Sequence, residues 1–130
     1  MSFETDLQTW GKIEDYVIKL LNKKGWEAWK NTTNDLKMCD IFAKKDGVTH
    51  KIEVKTDMES LFTGNVALEQ RAIALSSSHY FFYVIPKVYA VTMEQIGGFI
   101  KEYPMTRGGD FMDLITLVPM KDFAKKGKLL

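Results

Sequence analysis

Three residues have types and spacing that can do chemistry together: Asp40, Glu53 and Lys55. Their relation rests on a turn. Asp46-Gly47 lies between two alternating apolar runs, a strong local signal for a two-residue hairpin. With those two residues as the loop, Lys45 faces Val48, Ile41 faces Ile52 and Cys39 faces Val54. The last four side chains then share an apolar face that only a core accepts. On the other face Asp40 falls opposite Glu53, and Lys55 lies two residues further along. Opposed carboxylates repel, at a cost on the order of 1 kcal/mol relative to a neutral pair. A nearby ammonium offsets part of that. A divalent cation offsets far more, because converging hard oxygen ligands are what Mg²⁺ takes. Glu-Val-Lys alone is what a solvated strand face looks like. Its registration with Asp40 makes the pattern a candidate metal site with a lysine beside it.

The elements that must position these residues follow from periodicity. Leu7, Trp10, Ile13, Val17, Leu20 and Leu21 recur at three- and four-residue steps and predict a helix. Thr5 or Asp6 caps its start, and Gly25 closes it after Lys23-Lys24. Residues 26–30 predict a short strand and 31–35 a turn. Strands follow over 36–45 and 48–56, then a loop over 58–65. Residues 66–75 suit either a strand or a helix face. Residues 80–85 read as a buried strand closed by Pro86. Thr92 caps a helix reaching about Glu102. Residues 107–110 form a turn and 111–118 a last strand, and Pro119 opens a short basic helix.

Composition narrows the classes. The chain has 130 residues, of which 45% are hydrophobic, which suits a single domain over 1–130 with a real core and excludes global disorder. Eighteen Lys+Arg against seventeen Asp+Glu leave a net charge of +1, so any nucleic-acid contact must be a local patch. One cysteine, Cys39, cannot make an internal disulfide, and with only two histidines a structural zinc site is excluded. No apolar run approaches the ~20 residues of a membrane span, and the N-terminus lacks the pattern of a signal peptide. The expectation is a cytoplasmic protein without a membrane partner.

Asp40 followed by Glu53-Val54-Lys55 resembles the PD-(D/E)XK nuclease superfamily. The flanking segments carry the resemblance further. Gly11-Lys12-Ile13-Glu14, then Leu20-Leu21 and Gly25-Trp26, is similar to the first helix of archaeal Holliday-junction resolvases and related phage endonucleases. Glu53 to Asp57 followed by Thr63-Gly64-Asn65-Val66-Ala67-Leu68-Glu69 resembles a phage-encoded subgroup. One departure stands out: Cys39 replaces the proline that precedes the first acid.

The resemblance implies an α/β, restriction-endonuclease-like core: a mixed sheet of four to five strands flanked by helices. It implies a metal-dependent DNA endonuclease, structure-selective and of phage origin. Asp40 and Glu53 would be metal ligands, joined by the Val54 carbonyl, with Mg²⁺ as the ion and Mn²⁺ as its substitute. Lys55 would stabilise charge on the phosphate or handle the attacking water. Glu14 and Glu69 would be accessory acids, with Gln70 as a rival to Glu69. A homodimer is expected where two strands must be cut. The alternatives remain a catalytically inactive module that binds nucleic acid or protein, and an RNA-processing relative.

Each residue also has a plainer role. Lys55 would be a counter-charge, and Glu14 an exposed helix acid pairing with Lys19 or Lys12. His50 and His79 read as structural. Cys39 reads as a small core residue. Lys44, Lys45, Lys51 and the C-terminal lysines serve solubility or phosphate contact. Trp26 and Trp29 either pack or stack on bases.

Overall fold

The structure is a computed structural model that describes residues 10–32, 39–85, 87–108 and 113–130. The expected cap at Thr5 or Asp6, and parts of the segments expected over 31–45 and 107–118, lie outside these residues.

Helix α1 (Trp10–Lys23) forms where the apolar stripe predicts it. Ile13, Val17 and Leu21 are buried at four-residue steps. Its end is a Schellman turn: Gly25 takes φ +91°, its N–H reaches the Asn22 carbonyl, and the Trp26 N–H reaches the Leu21 carbonyl at 3.0 Å. The chain leaves the turn directly into β1 (Glu27–Lys30).

Strands β2 (Ile41–Lys45) and β3 (Val48–Thr56) form the expected hairpin. Asp46 and Gly47 both have positive φ, as a tight hairpin turn requires, and the register runs from Lys45–Val48 to Ile41–Ile52 as the sequence implies. The first strand of the hairpin is shorter than expected, because the chain bends at Asp40.

Between β3 and its parallel neighbour β5 (Tyr80–Ile85) lie α2 (Ser60–Thr63), β4 (Asn65–Glu69) and α3 (Gln70–Leu75). The loop expected over 58–65 therefore contains a helical turn, pinned by the Ser60 hydroxyl on the Asp57 carbonyl and closed by Gly64 at φ +75°. The ambiguous stretch 66–75 is a strand and then a helix. Next come β6 (Lys87–Thr92), α4 (Met93–Glu102), β7 (Met105–Gly108), β8 (Asp113–Pro119), α5 (Met120–Lys126) and β9 (Lys128–Leu129). Thr92 and Gln95 form a capping box at the start of α4.

The main sheet is mixed and six-stranded, in the order β1-β2-β3-β5-β6-β9, not four- to five-stranded. That β6 and β9 go unseen in the sequence has a physical reason. β6 returns beside β5 after a single intervening residue, where proline reads as a stop, and β9 is a two-residue edge strand too short to show periodicity. A second, three-stranded sheet has the order β4-β8-β7.

Strand alternation splits the core in two. Ile41, Ile52, Val54, Phe82 and Val84 pack with the α1 stripe on one face. Phe81, Tyr83 and Ile85 pack on the other face with Val66, Leu68, Val118 and the aromatic pair Phe99–Phe123. Burying one such phenylalanine contributes roughly 2–3 kcal/mol. The second sheet and the later helices thus cover the β5–β6 half of the face opposite α1. Glu53 and Lys55 pair in register with Phe81 and Tyr83, at the margin of that cover.

Candidate active site

Asp40 is where β2 and β3 part. Its N–H donates to the Ile52 carbonyl at 3.0 Å, a bond outside the regular ladder, in which Ile52 pairs with Ile41. A continued ladder would next give the Val54 N–H to the Cys39 carbonyl. That carbonyl instead accepts from the Asn31 side-chain amide at 2.8 Å. The Val54 N–H donates to the Asp40 carboxylate, Oδ2, at 2.8 Å. The expected Cys39–Val54 and Asp40–Glu53 ladder pairs are therefore not formed: a carboxylate has replaced a main-chain acceptor, and the strands fork. Cys39 is nonetheless buried, as its place beside Ile41 requires. In a strand the N–H and C=O of one residue point to the same side. The Val54 carbonyl thus points to the edge that Asp40 occupies.

Burial raises the Asp40 carboxyl above its ordinary value, and the Glu53 charge adds to this, while the Val54 N–H and the Lys55 ammonium pull it back. Lys55 Nζ lies 3.2 Å from Glu53 Oε2, with both side chains largely shielded from water. The other oxygen of Glu53, Oε1, accepts from the Ser76 hydroxyl at 3.0 Å. Ser76 Oγ in turn accepts from the Ser78 N–H. Glu53 is thus held on both oxygens, one by a strand neighbour and one by the residue that ends α3.

Glu14 approaches from α1. Burial raises its carboxyl, and the Asp40 charge is the next cause; Lys30 opposes both. Lys30 itself pairs with Asp15 at 3.0 Å. Glu69 is exposed at the end of β4 and lines a cavity of about 590 Å³ with Lys55, Asp57, Tyr83 and Asp113. Gln70 is drawn to the second sheet, where its amide donates to the buried Thr116 hydroxyl at 3.2 Å. His79 accepts the Lys51 N–H on Nδ1, and His50 packs among Trp26, His79 and Tyr80.

Two residues near the site are not among those singled out from the sequence. Ser76 is 23 positions from Glu53, and a serine run carries no sign of its target. Asp57 continues the alternation Glu53, Lys55, which is a readable signal. Its Oδ2 accepts the Ala67 N–H at 2.8 Å, and burial raises its carboxyl.

The donors fit a hard cation in kind. They are oxygens only, and each carboxylate oxygen keeps a lone pair beyond the hydrogen bond it accepts. They are few, since no group of three or more His, Cys, Asp or Glu among the described residues stands together as a metal-holding set. Any ion here would rest on Asp40, Glu53 and the Val54 carbonyl, with water filling the rest of its shell.

The architecture is similar in fold to solved nucleases. Its solved counterparts include a Holliday junction resolvase, Hjc, of the archaeal hyperthermophile Archaeoglobus fulgidus. That structure matches with a TM-score of 0.57 and 14% identity, over 90% of this chain and 88% of that one. A bacterial homing endonuclease, I-Ssp6803I, matches with a TM-score of 0.55 and 18% identity, over 83% of this chain and 71% of that one. At these identities the likeness is one of fold. No family model and no curated protein matches the chain. Among the described residues no helix is long and apolar enough to cross a membrane.

Proposed function

We propose that this chain is a metal-dependent DNA endonuclease. The observation that carries the reading is the fork at Asp40, where two carboxylates and a lysine meet at the margin of a nuclease-type sheet. Asp40, Glu53 and the Val54 carbonyl would hold Mg²⁺, or Mn²⁺ in its place. When bound, the ion supplies Lewis acidity toward a phosphoryl oxygen and makes water more acidic. The chain's own residues do the rest. The Val54 N–H fixes the Asp40 rotamer. Ser76 and Lys55 fix Glu53. Lys55 places a positive charge beside the reacting phosphate, where it stabilises developing charge or holds the attacking water. Glu14 stands within reach of the Asp40 charge, which raises its carboxyl, and Glu69 lies at the cavity wall with Lys55.

The finer proposals are that the substrate is branched DNA, that two copies act together because one centre cuts one strand, and that the gene is of phage origin. The last rests on the Thr63-Gly64-Asn65 segment, and a lone buried cysteine fits a reducing cytoplasm. The test is cleavage of supercoiled, linear, single-stranded and branched DNA with Mg²⁺, Mn²⁺ or EDTA. Cleavage that needs the cation and is lost in Glu53→Gln supports the reading. Intact DNA under every condition assigns the fold to the binding-only alternative.

A further inference from the structure

Among the described residues, the face opposite α1 is covered over β5 and β6 but not over β1 and β2. Alternation places Trp29, Phe42, Lys44 and Lys51 on that uncovered half, the same face as Glu53 and Lys55. The register makes a row across three strands: Trp29 beside Phe42, and Phe42 beside Lys51. Trp29 remains 41% exposed, and its ring stacks on Phe42 with centroids 5.8 Å apart and planes 26° apart. Trp26 does the opposite. It sits among the α1-face residues, with His50 at its edge and Lys45 over its ring. Of Trp26 and Trp29, Trp29 is thus the more exposed, and it lies on the face of the candidate site.

We infer that the Trp29–Phe42 platform and the adjoining Lys51 bind unpaired nucleotides next to the cleaved phosphate. The row lies two residues along the strands from Asp40 and Glu53. At about 3.3 Å per residue this is close to two stacked nucleotides of about 3.4 Å each. A flat aromatic surface takes the face of any base, and a lysine beside it takes the phosphate. Charge favours a phosphate-bearing occupant: Lys51 lies in the row with the rings and Lys44, faced by Glu27, lies next to it, so this part of the half carries two lysines against one acid. The inference rests on the proposed nuclease reading for its substrate, but binding can be read without cleavage.

The experiment uses the whole chain in EDTA, with a labelled thymidine oligonucleotide and a blunt duplex of equal length. Fluorescence anisotropy is expected to show Trp29→Ala binding the single strand about tenfold or more weakly, in line with the loss of one stacking contact. The blunt duplex, whose bases stay stacked on each other, should lose far less. Lys51→Ala should reduce the salt dependence of single-strand binding by about one unit of slope. Unchanged single-strand affinity in Trp29→Ala overturns the inference. So does a wild-type dimer that Trp29→Ala converts to monomer in light scattering, because the face then belongs to a second copy. Failure of the nuclease reading shows separately, as wild-type chain that binds DNA and cuts none with Mg²⁺ or Mn²⁺.

Discussion

Asp40 has two tasks that a substitution can separate: it accepts a hydrogen bond from a buried strand amide, and it carries a charge that burial and Glu53 both oppose. Asn keeps an acceptor oxygen and removes the charge. Asp40→Asn is therefore expected to abolish cleavage while leaving the melting temperature of the metal-free chain unchanged or slightly raised. Asp40→Ala orphans the Val54 N–H and should cost about 1–3 kcal/mol in urea unfolding. Equal losses for the two variants would mean that the carboxylate charge itself holds the fork. Lys55 is separable in another way. It is no metal ligand, so Lys55→Ala should slow single-turnover cleavage by about 10²-fold or more while metal affinity holds or rises. Cleavage at close to the wild-type rate would reduce Lys55 to a counter-charge for Glu53.

The hairpin is the element that sets the site, and its turn is the part most exposed to backbone strain. Gly47 has φ +79° with no atom near the position of an added Cβ, so any penalty there is conformational rather than steric crowding. Gly47→Ala is expected to destabilise the chain by about 1–2 kcal/mol in urea unfolding. A neutral result would show that the turn relaxes to another type. Register would then be held by the buried pair Ile41–Ile52 alone. Asp57 is the corresponding tie at the other end of β3, holding β4 of the second sheet through the Ala67 N–H.

At the scale of the molecule, Asp40, Asp57 and Glu14 shift in one direction. Burial is the first cause in each case, and each carboxyl holds its proton more tightly folded than unfolded. Such a group costs stability when ionised. The cost is present at neutral pH and is relieved as pH falls through the folded value toward the ordinary carboxylate range. In metal-free buffer these groups should therefore raise the melting temperature as pH is lowered from neutral toward the ordinary carboxylate range. Asp40→Asn should flatten part of that slope, and saturating Mg²⁺ should oppose it, because protons and cation compete for the same oxygens. A slope of the opposite sign that Asp40→Asn leaves untouched would sink the account.

Sequence by itself determined what neighbouring residues decide among themselves: the α1 stripe and its Gly25 stop, the Asp46-Gly47 turn and its register, the Thr92 cap and the helix that opens after Pro119. Each is a matter of periodicity or of hydrogen bonds closed within a few residues. The nearness of Asp40, Glu53 and Lys55 follows from the same hairpin, although the expected Asp40–Glu53 ladder pair does not form. Tertiary structure decided the rest. The bend at Asp40 needs Asn31 to take the Cys39 carbonyl, and the grip on Glu53 needs Ser76 from across the parallel crossover. The separate sheet that takes β4 and the edge strand β9 are settled only when distant segments compete for burial and for unpaired strand edges. A strand's residues state that it must bury one face; they do not state which partner, far along the chain, will cover it.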